Sequence, residues 1–161
     1  MKGTILLILV TIGLSGWSQT FMKASDLENL ASDAWKGELM YKDVDTGEEV
    51  TIEVEMTATT TNNRKFIFAY HYPSDPKADN MVQFKVNGKY SKISSNKIIS
   101  RKELGNGLVQ VVTKRKGKDN HKKATLYYIY TFGPNSFSLA TEVEYMGQGD
   151  RLTRSKYDFK K

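Results

Sequence analysis

The chain has 161 residues, with no cysteine, two histidines and three prolines. Without cysteine there can be no disulfide scaffold, Cys-ligated zinc, iron–sulfur cluster, thiol nucleophile or lipid attached to a thiol. Two histidines nearly exclude a multi-His metal site. No Gly-rich loop stands ahead of a helix to cradle a phosphate, and no Gly-x-Ser-x-Gly elbow is present. The chain is too short for a TIM barrel or a full dinucleotide-binding enzyme. The expectation is a non-enzymatic protein with no metal and no cofactor.

Long apolar runs are also lacking, with one exception near the N-terminus. Lys2 supplies a positive charge, Ile5 to Leu14 (ILLILVTIGL) is a predominantly apolar run, and Gly16-Trp17-Ser18 offers small residues before Gln19. This is the layout of a secretory signal peptide cleaved after Ser18. A retained membrane anchor is the alternative, but the run falls short of the roughly 20 residues that a span needs. The expected division is a leader over 1–18 and one domain over 19–161, periplasmic or secreted, with no transmembrane segment after processing. Loss of Lys2 leaves 23 basic against 18 acidic residues, a net charge of +5. A chain of this size buries roughly 68% of its unfolded surface, enough for one core. In an oxidising space without cysteine, stability rests on packing.

One helix is expected. Ser25-Asp26-Leu27-Glu28 has capping-box spacing, and Leu27, Leu30, Ala31 and Ala34 fall on one helical face, which predicts a helix over 26–34. After Trp35 the pattern is strands and turns. Turn residues recur at Asp45-Thr46-Gly47, Asn62-Asn63, Pro73 to Asn80, Asn87-Gly88, Ser95-Asn96, Gly105-Asn106-Gly107, Gly117 to Asn120, Gly133-Pro134-Asn135 and Gly147-Gln148-Gly149. Between them apolar residues alternate with polar ones, as in Val50/Ile52/Val54/Met56 and Phe66/Phe68/Tyr70/Tyr72. No helical stretch long enough for a crossover separates the strands. The fold class is therefore all-β: an antiparallel up-and-down meander barrel of eight to ten strands with one short N-terminal helix. A two-sheet sandwich is the alternative. Closure is favoured because it removes free edges, and Trp35 is expected at the barrel floor.

A leader, a short helix and then Trp35-Lys36-Gly37-Glu38-Leu39 opening such a meander resembles the lipocalin-like, calycin-type barrels of small exported bacterial proteins. The resemblance implies a cavity-bearing barrel.

The expected function is to hold a small hydrophobic molecule in the barrel cavity, and contact with an anionic surface or partner through a basic hairpin is the alternative. Aromatic residues occur on most strands, and Phe66, Phe68, Tyr70, Phe84, Tyr128 and Phe137 are candidate walls of a pocket for a small hydrophobic molecule. The same residues would equally suit a filled core. The connection from Pro73 to Asn80 is the expected lip. The second surface is basic: Lys114, Arg115, Lys116, Lys118, Lys122 and Lys123 flank the turn at 117–120 and could meet an anionic surface or partner. A solvated hairpin tip is the plainer reading. Nucleic acid is disfavoured by export and by the lack of a stacking ring in the run. Tyr127-Tyr128-Ile129-Tyr130 is apolar on both faces, so one face needs a cover, supplied by Leu27 and Leu30 or a neighbouring strand end, or by a partner. His71 is expected on the outer face. Asp43-x-Asp45-x-Gly47-Glu48 reads better as a hairpin turn than as a calcium loop. The pairs Glu53/Glu55 and Glu142/Glu144 are expected outside, in solvent.

Overall fold

In a computed structural model that describes residues 20–161, the chain forms ten strands. They are β1 (Ser32–Lys42), β2 (Glu49–Asn62), β3 (Lys65–His71), β4 (Asn80–Lys85), β5 (Lys92–Ile93), β6 (Asn96–Gly105), β7 (Leu108–Asp119), β8 (Lys122–Phe132), β9 (Ser136–Tyr145) and β10 (Arg151–Lys160). All pair antiparallel in one sheet of order β4-β3-β2-β1-β10-β9-β8-β7-β6-β5. The sheet curls until Val86, just past β4, bridges Ile93 of β5, giving a nearly closed up-and-down barrel. The expected leader and its cleavage site after Ser18 lie outside the described residues. Among the described residues no helix is long and apolar enough to cross a membrane.

Alternation places one side of each strand inside. Cross-strand neighbours then form rows around the lumen. The row Val54–Gly37–Phe159–Phe137–Phe132–Val109 lies toward the floor. Above it runs Ile52–Leu39–Tyr157–Leu139–Tyr130–Val111. Gly37 sits on the seam where the first strand meets the last. A Cβ there would collide with the main-chain carbonyl of Asp158, so the close approach of β1 and β10 requires glycine.

The predicted helix over 26–34 is not formed. The segment makes one 3-10 turn at Ala24–Leu27, and by Ser32 the chain is already in β1, paired with Ala58. Two and a half turns of helix are marginal in water, so tertiary contacts decide the outcome. Here they fold the segment across the floor. Met22, Leu27 and Leu30 are buried in the main core, and the Trp35 Nε1–H donates to the Leu30 carbonyl at 2.9 Å. Trp35 is therefore on the floor as expected, 1% exposed, with the Lys161 ammonium 4.6 Å from its ring centre.

The basic hairpin also turns later than expected. Gly117 lies within β7 opposite Ala124, and the two-residue loop is Asn120-His121, both at positive φ. That is the geometry whose twist matches a hairpin.

Candidate functional site

Five of the six pocket-wall candidates come together. Phe66, Phe68 and Tyr70 point inward from β3, Phe84 from β4 and Phe137 from β9. They meet ring to ring: Phe68 lies 5.3 Å from Phe84 and 5.7 Å from Phe137, and Phe66 lies 6.1 Å from Phe84. Phe132 and Phe159 complete the cluster, at 5.5 and 6.3 Å from Phe137. Sequence reasoning did not single out either, because nothing local shows that the β8–β9 turn sets Phe132 opposite Phe137. Tyr128, the sixth candidate, is half-buried nearer the open end, where its hydroxyl accepts a hydrogen bond from Arg115 Nε at 2.9 Å.

The upper row is less covered. Leu39, Ile52, Leu139 and Tyr157 pack on the core but remain partly exposed. Burial raises the phenols of Tyr70, Tyr130 and Tyr157 above their usual range, and Tyr157 also hydrogen bonds the Tyr72 hydroxyl at 3.0 Å. Grooves also open on the outer wall. One of about 620 Å³ is lined by Lys36, Glu38, Ser138 and Asp158, and another of about 460 Å³ by Glu38, Glu53, Glu55 and Pro73.

The six basic hairpin residues divide between two faces. By register, Arg115 and Lys122 share the inward side with Leu126 and Ala124. Lys114, Lys116, Lys118 and Lys123 point outward. Lys122 lies over the Tyr145 ring at 5.9 Å. The turn end of the hairpin is anchored by Asp119, which pairs with Lys122 across the Asn120-His121 loop. Burial pushes its carboxyl up, but hydrogen bonds from Arg154 and Tyr145 outweigh that and hold it below the usual carboxylate range.

Charge is segregated around the barrel. Residues 20–61 carry ten acidic and three basic side chains, whereas residues 62–118 carry thirteen basic and three acidic. In the register Glu38 stands between Glu53 and Asp158, and Lys97 stands between Lys92 and Lys114.

The remaining candidates have structural partners. Tyr127 is covered from β10: the Arg151 guanidinium lies 3.6 Å from its ring centre, and its hydroxyl donates to Glu144 at 2.6 Å. The expected cover by Leu27 and Leu30 goes to the floor instead. Glu55 pairs with Lys36 and Glu142 with Arg151. Asp43 Oδ1 accepts the amides of Asp45 and Thr46, which makes its loop a hydrogen-bonded hairpin turn. His71 is outside and exposed, its Nδ1 2.7 Å from Asp79 Oδ2, while Asp79 Oδ1 accepts the Tyr72 amide. This pair ties down the Pro73–Asn80 connection. Sequence reasoning missed the buried pair of Asp26 and Arg101, which are 75 positions apart and share bonds of 2.7 and 2.9 Å. Only the fold brings them together.

No protein-family model matches the chain, and no curated protein sequence matches it.

Proposed function

We propose that the mature chain is an exported, lipocalin-like, non-enzymatic barrel that acts as an interaction module, docking on an anionic partner through the hairpin Lys114–Lys123. The observation that carries this reading is the state of the hairpin's charges. Among the described residues Lys114, Lys116, Lys118, Lys122 and Lys123 make no ion pair, while Lys23, Lys36 and Lys156 each do. Tyr145, Asp119 and Arg154 brace this hairpin beside its Asn120-His121 turn, so its charge is presented from a rigid support. The ring-on-ring packing of Phe66, Phe68, Phe84 and Phe137 supports a filled floor. The test is binding to anionic vesicles and acidic polymers across a salt series. Reversal of charge at Arg115, Lys118 and Lys122 should abolish a salt-sensitive interaction. Binding that ignores both salt and the triple variant would overturn the reading.

A second reading places a small hydrophobic molecule at the open end. It is favoured by the partly exposed row Leu39, Ile52, Leu139 and Tyr157 above the filled floor. Native mass spectrometry of protein recovered from the producing cell should then show a bound apolar mass that Leu139→Trp excludes. The same spectrum checks export, because the processed chain should begin at Gln19.

A further inference from the structure

We propose that the outer wall formed by β3 to β7 binds a linear acidic polysaccharide that runs across the strands. The inference rests on the basic-hairpin reading and deepens it by naming the partner and extending the site. The hairpin is the end of a longer basic band. Lys65 pairs with Lys85 across β3–β4, Lys92 with Lys97 across β5–β6, and Lys97 with Lys114 across β6–β7. Lys85 and Lys92 flank the single bridge, Val86–Ile93, that joins β4 to β5. Five strands thus present one lysine each along one continuous path. All five point outward, and among the described residues none has an acidic partner.

Like charges placed directly opposite one another destabilise a sheet. Here the arrangement occurs three times in one band, on a chain with 18 acidic residues available to alternate with the lysines. The acids are gathered on the far wall instead, where Glu53, Glu38 and Asp158 form the opposite ladder. A polyanion is attracted to one side of the barrel and repelled from the other, which fixes its path.

Shape selects among polyanions. The lysine row follows the circumference, so its members face successively different directions. A flat membrane touches a convex wall along about one strand and leaves the rest of the row unused. A flexible chain follows the curve. Adjacent strands are about 4.8 Å apart, a spacing comparable with one sugar ring per charge. The outward side chains of β3 to β7 include no phenyl, phenol or indole ring on which a base could stack. Gln83 and Gln110 lie on the same outer face as hydrogen-bonding groups for hydroxyls.

The test uses polygalacturonate fragments of graded length, titrated into the wild-type chain and two variants. Affinity should climb with fragment length until the polymer spans β3 to β7, and its salt dependence should steepen in parallel. Lys97→Glu should weaken the longest fragment at least about tenfold and leave the shortest, held by the hairpin, unchanged. The same substitution should raise the melting temperature, because it turns a row of three lysines into alternating charges. Loss of binding therefore cannot come from unfolding. Arg115→Glu with Lys118→Glu and Lys122→Glu should weaken fragments of every length. If the hairpin variant loses binding while Lys97→Glu is neutral, the wall site is overturned and the hairpin reading stands. If no anionic probe binds at any length, both fall. Equal or tighter binding to phosphatidylglycerol vesicles, or to duplex DNA, would overturn the polysaccharide.

Discussion

Asp26 and Arg101 are both buried and paired with each other, and Arg101 Nη1 also donates to Glu103 at 2.9 Å. The guanidinium gives Asp26 two bonds, and the Lys23 amide donates to the same carboxylate. The hydrogen bonds it donates to Asp26 are the main reason the Arg101 guanidinium is held even more firmly protonated than usual. Removing one partner strands the other charge, so Arg101→Met should cost about 3–5 kcal/mol in urea unfolding. The double variant Asp26→Leu/Arg101→Met should recover part of that loss, and a single variant as stable as wild type would refute the account. His71 and Asp79 form an exposed pair with a different signature. The hydrogen bond to Asp79 raises His71 above 6.5, and the same bond, with the Tyr72 amide, lowers Asp79 below 3.8. A raised imidazole contributes fully below its unfolded value and loses the contribution as pH climbs through the folded one. A lowered carboxyl contributes above its unfolded value and loses it as pH falls. The tether on the Pro73–Asn80 connection is therefore strongest between pH 3.8 and 6.5. A proton titration by NMR should place His71 above 6.5, and Asp79→Asn should bring it back down. An unchanged titration in that variant would break the link.

At the scale of elements, what the sequence made legible was whatever is local. Alternation in 50–56 and 66–72 marked β2 and β3 with their faces correct, because side-chain period and strand pleat are the same fact. The N-terminal segment shows where local pattern fails. Leu27 and Leu30 have helical spacing, but both dock as well from a 3-10 turn at Ala24–Leu27 and the turn that follows it, and Trp35 takes the Leu30 carbonyl that a helix would have used internally. The basic hairpin fails by a subtler route. Glycine at 117 reads as a turn, yet its Cβ position is 3.1 Å from Leu126 Cδ1, so there it makes room for a neighbouring strand. The pairing of β1 with β10 has no local signature except Gly37. Gly37→Ala should force that seam apart at a cost of at least the about 1–3 kcal/mol of overpacking, read as a lower urea midpoint. An unaltered midpoint would mean that the strands are not in this register. Trp35→Ala, which opens the floor, should cost about 3–5 kcal/mol, and a neutral result would place the indole elsewhere. The pocket candidates were legible as inward residues. Whether inward aromatics leave space was not, since that depends on how rows from distant strands interdigitate.

The whole molecule is a ring of ladders with one weak link. Nine pairings are ladders of at least two residue pairs, whereas β4 meets β5 through the Val86–Ile93 bridge alone. The direction of the amides shows how open that link is. Val86 N–H donates to the Arg64 carbonyl, toward β3, so the neighbouring odd-numbered residues of β4 turn the other way. Lys85 uses that side, its carbonyl accepting from Ser94 N–H at 2.6 Å. Gln83 and Met81 face the same side, and among the described residues their main-chain groups have no partner there. Met81 is 77% exposed and Val82 47%, so solvent reaches this edge from both faces. Opening should therefore begin here, by β4 peeling outward from the bridge, while β7 to β9, paired on both sides and carrying the buried Val111 and Tyr130, persist until global unfolding. Native-state hydrogen exchange tests the order directly. The amides of Met81 and Gln83 should exchange almost as fast as in an unfolded chain, and the Val86 amide through a low-energy local opening. Those of Val111 and Tyr130 should exchange only with a free energy equal to that of global unfolding. Protection at Met81 and Gln83 matching that at Val111 would mean that the ring is closed by a ladder at this position as everywhere else.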